Sequence, residues 1–258
     1  MNEEKTLLWW RGMIALALFN VALWMLVALS VDRDGTYLGW HVLFSGIFTA
    51  VCAFRSIVPR IGLERYCMLD SMVSSMVIGR TAAMCAEVSF AAQIALLLHE
   101  AGALAGVSWV QSLAIPVVLL LSIAQLFCWS SILTLSYLGH AIEESMWAFT
   151  FILVGVALGV CGGQLDGLWQ TVCHGGALCC VGYVAFMVTV DVPMYVKRWR
   201  AHQGSDSQQL GWAQGWSDAL HRRVVTRDWE IWRPEVPWLT GYFSLAVWVS
   251  IALLVLPR

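Results

Sequence analysis

Leu8–Val31 reads LWWRGMIALALFNVALWMLVALSV. Its one charge is Arg11, close enough to the start for a long side chain to snorkel to an interface. The rest is longer than the roughly 20 apolar residues that carry a helix across about 30 Å of hydrocarbon. The preceding Asn2-Glu3-Glu4-Lys5 is acidic, and no small-residue cleavage site follows. The run is therefore expected to stay in place as a span and not be removed as a signal peptide.

Six more runs of this kind follow, roughly Thr36–Val58, Met68–Leu98, Val107–Leu138, Met146–Gly163, Thr171–Val196 and Pro237–Leu256. The whole chain agrees with them. Of 258 residues, 59% are apolar and 12% charged, and the mean hydropathy is +0.71. A soluble domain carries about a quarter of its residues as charges, so this chain cannot coat a globule with polar surface. Soluble and disordered proteins are excluded. So is a nucleic-acid binder, because 15 Lys+Arg face 17 Asp+Glu and leave no basic stripe. The expectation is an all-α polytopic integral membrane protein of about seven transmembrane helices, with the lipid bilayer as its main partner.

Alternating the loops between sides puts Lys5, Arg11, Arg55, Arg60, Arg65, Lys197, Arg198, Arg200, Arg222, Arg223, Arg227 and Arg233 on one face. Only Arg33 and Arg258 fall on the other. Cytoplasmic loops carry the Lys/Arg excess, so the N-terminus is expected in the cytoplasm. Few Lys and many Arg, Ala and Trp suit a high-GC bacterium, and a helical membrane protein there is expected in the inner membrane. The only lysines, Lys5 and Lys197, lie outside the helix cores, so no retinal Schiff base can form there.

Three parts follow: a six-helix membrane domain over 1–196, a Trp/Arg-rich cytoplasmic loop over 197–236, and a seventh helix over 237–258. Within the loop, Gln203-Gly204-Ser205-Asp206-Ser207 reads as a flexible linker. Trp212, Trp216, Leu220 and Val224 recur every four residues among Arg222, Arg223 and Arg227. That spacing predicts a short amphipathic interfacial helix, with Trp229, Trp232 and Trp238 extending an aromatic belt.

A charge in hydrocarbon costs about 2.5–3.5 kcal/mol even on the gentlest scale, so charged residues inside spans mark candidate sites. Arg80 lies about nine residues past the start of the third run's apolar core, about 14 Å deep at 1.5 Å per residue, and Glu87 lies two helical turns further on. Helical side chains lean toward the N-terminus, so Arg80 is expected to reach away from Glu87 to another group. Arg80 and Glu87, with Arg55, Arg60 and Arg65, form the candidate substrate-binding set. Asp70, His140, Glu143, Glu144 and Asp191 gather at the cytoplasmic ends of spans by topology and form the candidate catalytic set, as acids, bases or metal ligands. His41, His99, Glu100 and His174 mark the opposite ends and form a candidate metal set, although no spacing among them is diagnostic. No cofactor is specified.

Cys161 and Cys173 flank one short loop and could form a disulfide in an oxidising compartment. Gly155, Gly159 and Gly163 make overlapping Gly-x-x-x-Gly steps, suited to close helix packing within the chain or to a homo-oligomer or membrane-complex partner. Pro116 and the glycines of the fifth and sixth spans allow helix breaks. Walker, dinucleotide-binding, Gly-x-Ser-x-Gly and EF-hand motifs are absent.

Three functions fit. One is a small transporter or proton-linked permease built on Arg80 and Glu87. The second is a membrane-embedded enzyme acting on a lipid or lipid-linked substrate at the cytoplasmic leaflet, which requires the Asp70/His140/Glu143/Glu144/Asp191 set to be assembled. The third is a non-catalytic subunit of a redox or pigment complex, which would not purify as a stable lone species.

Overall fold

The computed structural model describes residues 2–31, 35–203 and 209–256. Arg33, Arg258 and most of the linker reading, Gly204 through Ser207, lie outside the described residues. The fold is all-α, and among the described residues seven helices are long and apolar enough to cross a membrane. They are α1 (Asn2–Ser30), α2 (Thr36–Ile57), α3 (Met76–Leu104), α4 (Ser108–Thr134), α5 (Tyr137–Gly162), a sixth over Gly167–Gln203 and a seventh over Val236–Val255. The sixth comprises α6 (Gly167–Phe186), a π-turn (Met187–Asp191) and α7 (Val192–Gln203). A second π-turn, Tyr242–Ala246, interrupts the seventh between α10 (Val236–Gly241) and α11 (Val247–Ala252). Pro116 does not break α4, which runs through it.

The third helix starts later than its hydropathy predicts. Arg60–Ile61 (β1) pairs antiparallel with Tyr66–Cys67 (β2), and Met72–Ser74 forms a 3₁₀ turn whose Ser71 hydroxyl accepts from the Val73 N–H. These pairings hold the apolar residues from Met68 to Ser75 outside the helix. Arg80 therefore stands in the second turn of α3, and Glu87 lies further along the helix.

By their internal contacts the described residues form two compact units, one from 2–93 and 216–256 and one from within 94–215. The first unit has a core of Met13, Phe48, Cys52, Met68, Ala86, Trp232, Leu239, Phe243, Val247 and Ile251. Polar pins cross it. Asn20 on α1 donates to the Phe243 carbonyl (2.8 Å), a group in the π-turn, and accepts from the Trp248 indole (2.9 Å). The Gln93 amide donates to the Ser250 carbonyl (3.1 Å), and the Ser250 hydroxyl donates back to the Gln93 side-chain oxygen. The buried amides of Asn20 and Gln93 thereby meet partners inside the core, as an apolar interior requires.

The short amphipathic helix expected here is present but ends before Val224. α8 covers Trp212–His221 and leaves Trp212 and Trp216 exposed. Val224 is not on it, because Val224–Val225 (β3) joins β2 in parallel. Trp232, expected in an interfacial belt, is fully buried in α9 (Trp229–Trp232). Its indole N–H donates to the Thr226 carbonyl (2.9 Å), and its ring lies 5.8 Å from that of Trp9. Satisfying that N–H inside the fold makes core burial of the tryptophan affordable.

Arg60 serves this small sheet. Its guanidinium donates to the carbonyls of Val58 (3.1 Å) and Ser75 (2.9 Å) and lies 5.2 Å from the Phe54 ring. Burial pulls its pKa down to about 10, with nearby Arg55 adding to the effect. The guanidinium rests on Gly79, where an added Cβ would sit 1.8 Å from its terminal nitrogen. Gly79→Ala should therefore expel Arg60 from its carbonyls and cost about 1–3 kcal/mol, the range for overpacking. A thermal-unfolding comparison in detergent checks this; an unchanged midpoint would contradict it.

In the second unit, α5 packs against α4, α6 and α7. Of the Gly-x-x-x-Gly residues, only Gly155 meets α6, where a Cβ would lie 3.0 Å from Cys180. Gly159 has open space before it, and Gly163 is close only to carbonyls of α5 itself. Gly162 and Gly176 supply the other close approaches, to His174 and Leu158. Cys161 and Cys173 are both buried and free.

Candidate functional sites

The first unit assembles a charged group inside its helices. Arg80 does not reach away from Glu87: its guanidinium donates to the Glu87 carboxylate at 2.6 Å. Seven residues separate them by about 10 Å of helix rise. Glu87 leans back along the helix while the long Arg80 stem runs forward, so the gain from pairing in a low-dielectric setting overrides the Cβ direction that predicted otherwise. Both side chains are 12% exposed. Arg55 of α2 approaches from another side. Its guanidinium carbon lies 5.7 Å from the centre of the Tyr242 ring and 5.2 Å from that of Phe243. Tyr242 lies within electrostatic reach of Glu87, Arg55 and Arg80 together. Arg55 and the Arg80–Glu87 pair thus both lie near Tyr242, in the π-turn of the seventh helix.

Of the other residues in the candidate binding set, Arg60 is committed to carbonyls as described. Arg65 has no exposed surface and donates to the Asp218 carboxylate (2.8 Å) and the Gly62 carbonyl (3.1 Å). Burial pulls its pKa down, and Asp218 opposes that shift. Both arginines shape the β1–β2 turn instead of meeting Arg80. Asp70 is exposed and paired with Arg223 at 3.2 Å.

The second unit assembles a different group. His140 Nδ1 lies 3.0 Å from the Glu143 carboxylate, one helical turn on, and 3.7 Å from the Cys128 sulfur on α4. Cys128 and Glu143 are buried. Asp191, 8% exposed and the last residue of the π-turn, is close enough to His140, Glu143 and Arg198 to feel their charge. Pro193 accounts for the position of that π-turn. It has no N–H for the Thr189 carbonyl and would crowd it, and the Val192 N–H bonds back five residues to Met187. The turn between α4 and α5 is fixed by Leu135, which is left-handed at φ 57°. The Ser131 hydroxyl donates to the Ser136 carbonyl (2.6 Å) and accepts from the His140 N–H (2.7 Å). Gly139 allows this closure, since a Cβ there would lie 2.3 Å from the Phe127 carbonyl oxygen.

His140 and Glu143 of the candidate catalytic set therefore come together, with Asp191 within electrostatic reach of both. Asp70 is in the other unit, and Glu144 is half-buried beside Glu143 on α5. Cys128 was hidden from the sequence reading because a thiol in an apolar run reads as a small hydrophobe. Among the described residues, no metal-competent group contains His41, His99, Glu100 or His174. His41 is buried on α2, its Nδ1 3.4 Å from the Gln93 amide. His99, Glu100 and His174 lie in the second unit, with both histidines exposed. Among the described residues the metal-competent trio is Cys128, His140 and Glu143.

This fold defines an integral membrane protein of seven helices with ionisable groups inside them. No family model, curated protein or solved structure matches the chain.

Proposed function

We infer that the protein is a small permease of the bacterial inner membrane, N-terminus cytoplasmic, moving a small anion in linkage with protons through the Arg55/Arg80/Glu87 site. The observation that carries this reading is the Arg80–Glu87 pair held within the apolar span of α3, each side chain 12% exposed. Its two ions bear a desolvation cost of several kcal/mol each. Ionisable groups kept inside membrane helices on those terms mark substrate or ion pathways. With Arg55 added, positive charge exceeds negative, which suits an anion.

In this reading Glu87 occupies Arg80 while the site is empty. An entering anion displaces the carboxylate, whose protonation compensates the charge. On release the carboxylate returns and expels the anion. Proteoliposomes loaded with a pH-sensitive dye and given an inward gradient of chloride, phosphate or a small carboxylate test it. One of these anions should move with protons through the wild-type protein; a flux equal to that of empty liposomes for all three would contradict the proposal.

A second reading, an enzyme acting on a lipid at the cytoplasmic leaflet, is favoured by a separate observation. An apolar groove lined by Leu138, Ile142, Met146, Phe149, Val192 and Val196 flanks the turn that carries His140 and Glu143. It has the lining an acyl chain requires. Incubation with labelled bilayer lipids and chromatography of the products would detect turnover.

A further inference from the structure

The geometry points to a transition-metal site, best matched to Zn²⁺, held by Cys128, His140 and Glu143, with Asp191 as a nearby supporting carboxylate. Zinc bonds run about 2.3 Å to thiolate sulfur, about 2.0–2.1 Å to imidazole nitrogen and about 2.0–2.2 Å to carboxylate oxygen. At a tetrahedral angle these place sulfur about 3.6 Å from nitrogen, and nitrogen about 3.3 Å from oxygen. The corresponding separations here are 3.7 Å and 3.0 Å. All three donor atoms lie within 4.8 Å of one another. A His–Glu hydrogen bond alone does not call for a third donor at a tetrahedral edge. A buried cysteine from a different helix supplies one.

Charge and support favour the same conclusion. Zinc with one thiolate, one carboxylate and a neutral imidazole sums to zero, which lowers the cost of a site inside a membrane helix. Asp191 would add a negative charge, and Arg198, whose guanidinium lies 5.8 Å from the centre of the Tyr137 ring, stands near enough to offset it. The π-turn ending at Asp191 brings that carboxylate within electrostatic reach of the group, and such turns recur at functional sites. The Ser131 hydroxyl fixes the backbone of His140. The imidazole is 12% exposed and sits in the first turn of α5, so an ion can enter from the helix end. Binding releases the Cys128 proton to solvent, since the ligand is the thiolate. A mixed S/N/O set suits zinc better than magnesium or calcium, which take oxygen donors. Zinc binding here is independent of anion transport through Arg80 and Glu87.

Full-length protein in detergent, stripped with chelator and dialysed against Zn²⁺ or Co²⁺, tests the site. One zinc per chain is expected by mass spectrometry, and Co²⁺ should give a near-ultraviolet thiolate charge-transfer band. Cys128→Ser should abolish that band, and Cys179→Ser should leave it intact. Asp191→Asn should weaken zinc binding by about 10–100-fold, the range for groups that support a metal site. Should Cys128→Ser lose its monodisperse elution peak, Glu143→Gln replaces it, and zinc affinity must fall. Wild-type protein that retains no zinc would overturn the proposal. So would a cobalt band surviving in Cys128→Ser, or an affinity unchanged in Glu143→Gln.

Discussion

Glu87→Gln is expected to lower anion flux by about 100-fold while leaving the protein folded. Glutamine keeps the shape and an acceptor for Arg80 but cannot carry the compensating charge or proton. Arg80 and Arg55 then hold the anion with nothing to displace it. The apparent KM should therefore fall along with the maximal rate, because the loss lies in release. A hundredfold change in rate corresponds to about 2.7 kcal/mol, within the range seen when one partner of a buried charge pair is removed. Arg80→Ala should differ, losing affinity for the anion as well as flux. Initial rates over a range of anion concentrations separate the two patterns. Equal rises in KM for both variants would count against the release role of Glu87.

Arg65→Ala is expected to destabilise the first unit by about 3 kcal/mol, the lower end of the range for breaking a buried ion pair. The lower end applies because Asp218 keeps a second partner, Arg222, at 3.6 Å. The loss also includes the Gly62 hydrogen bond and, with it, the shape of the turn that lets the Val224 N–H reach the Arg65 carbonyl at 2.9 Å. Arg65 is left-handed at φ 62°, so Arg65→Gly removes the charge without the cost of roughly 1–2 kcal/mol that a Cβ incurs there. Glycine should thus unfold at a higher temperature than alanine, and both below wild type. Calorimetry in detergent orders the three proteins; an alanine variant as stable as wild type would show that the Arg65–Asp218 pair contributes nothing.

The spans were legible because hydrocarbon thickness imposes a length and a composition that few other structures share. Their ends were less legible. Met68 to Ser75 is apolar enough to extend a span, but pairing of Tyr66–Cys67 with two partner segments, distant in sequence for Val224–Val225, holds that stretch outside α3. The same pairing removed Val224 from the amphipathic stripe. Trp232 read as an interfacial residue because its indole N–H wants a partner, and the Thr226 carbonyl that provides one is visible only in the fold.

The candidate sites divide in the same way. Arg80 and Glu87 were visible because charge is rare in such a segment, but their pairing depended on side-chain reach, which the Cβ direction does not settle. His140, Glu143 and Asp191 could be grouped by topology alone. Cys128 could not, since its role comes from the α4–α5 turn and not from its neighbours in sequence. Arg60 and Arg65 shared a charge signature with Arg55, yet only the fold separates arginines spent on carbonyls and Asp218 from one facing Tyr242.

The most direct test of the central claim joins flux to stability in one variant, Arg80→Gln/Glu87→Gln. Removing both charges at once leaves no unpaired ion, and replacing a buried pair by neutral groups is often neutral or stabilising. The account predicts an unfolding temperature at or above that of wild type together with flux no greater than that of empty liposomes. An unfolding temperature well below wild type would identify the pair as a structural clamp, and wild-type flux through the double variant would place the anion path elsewhere.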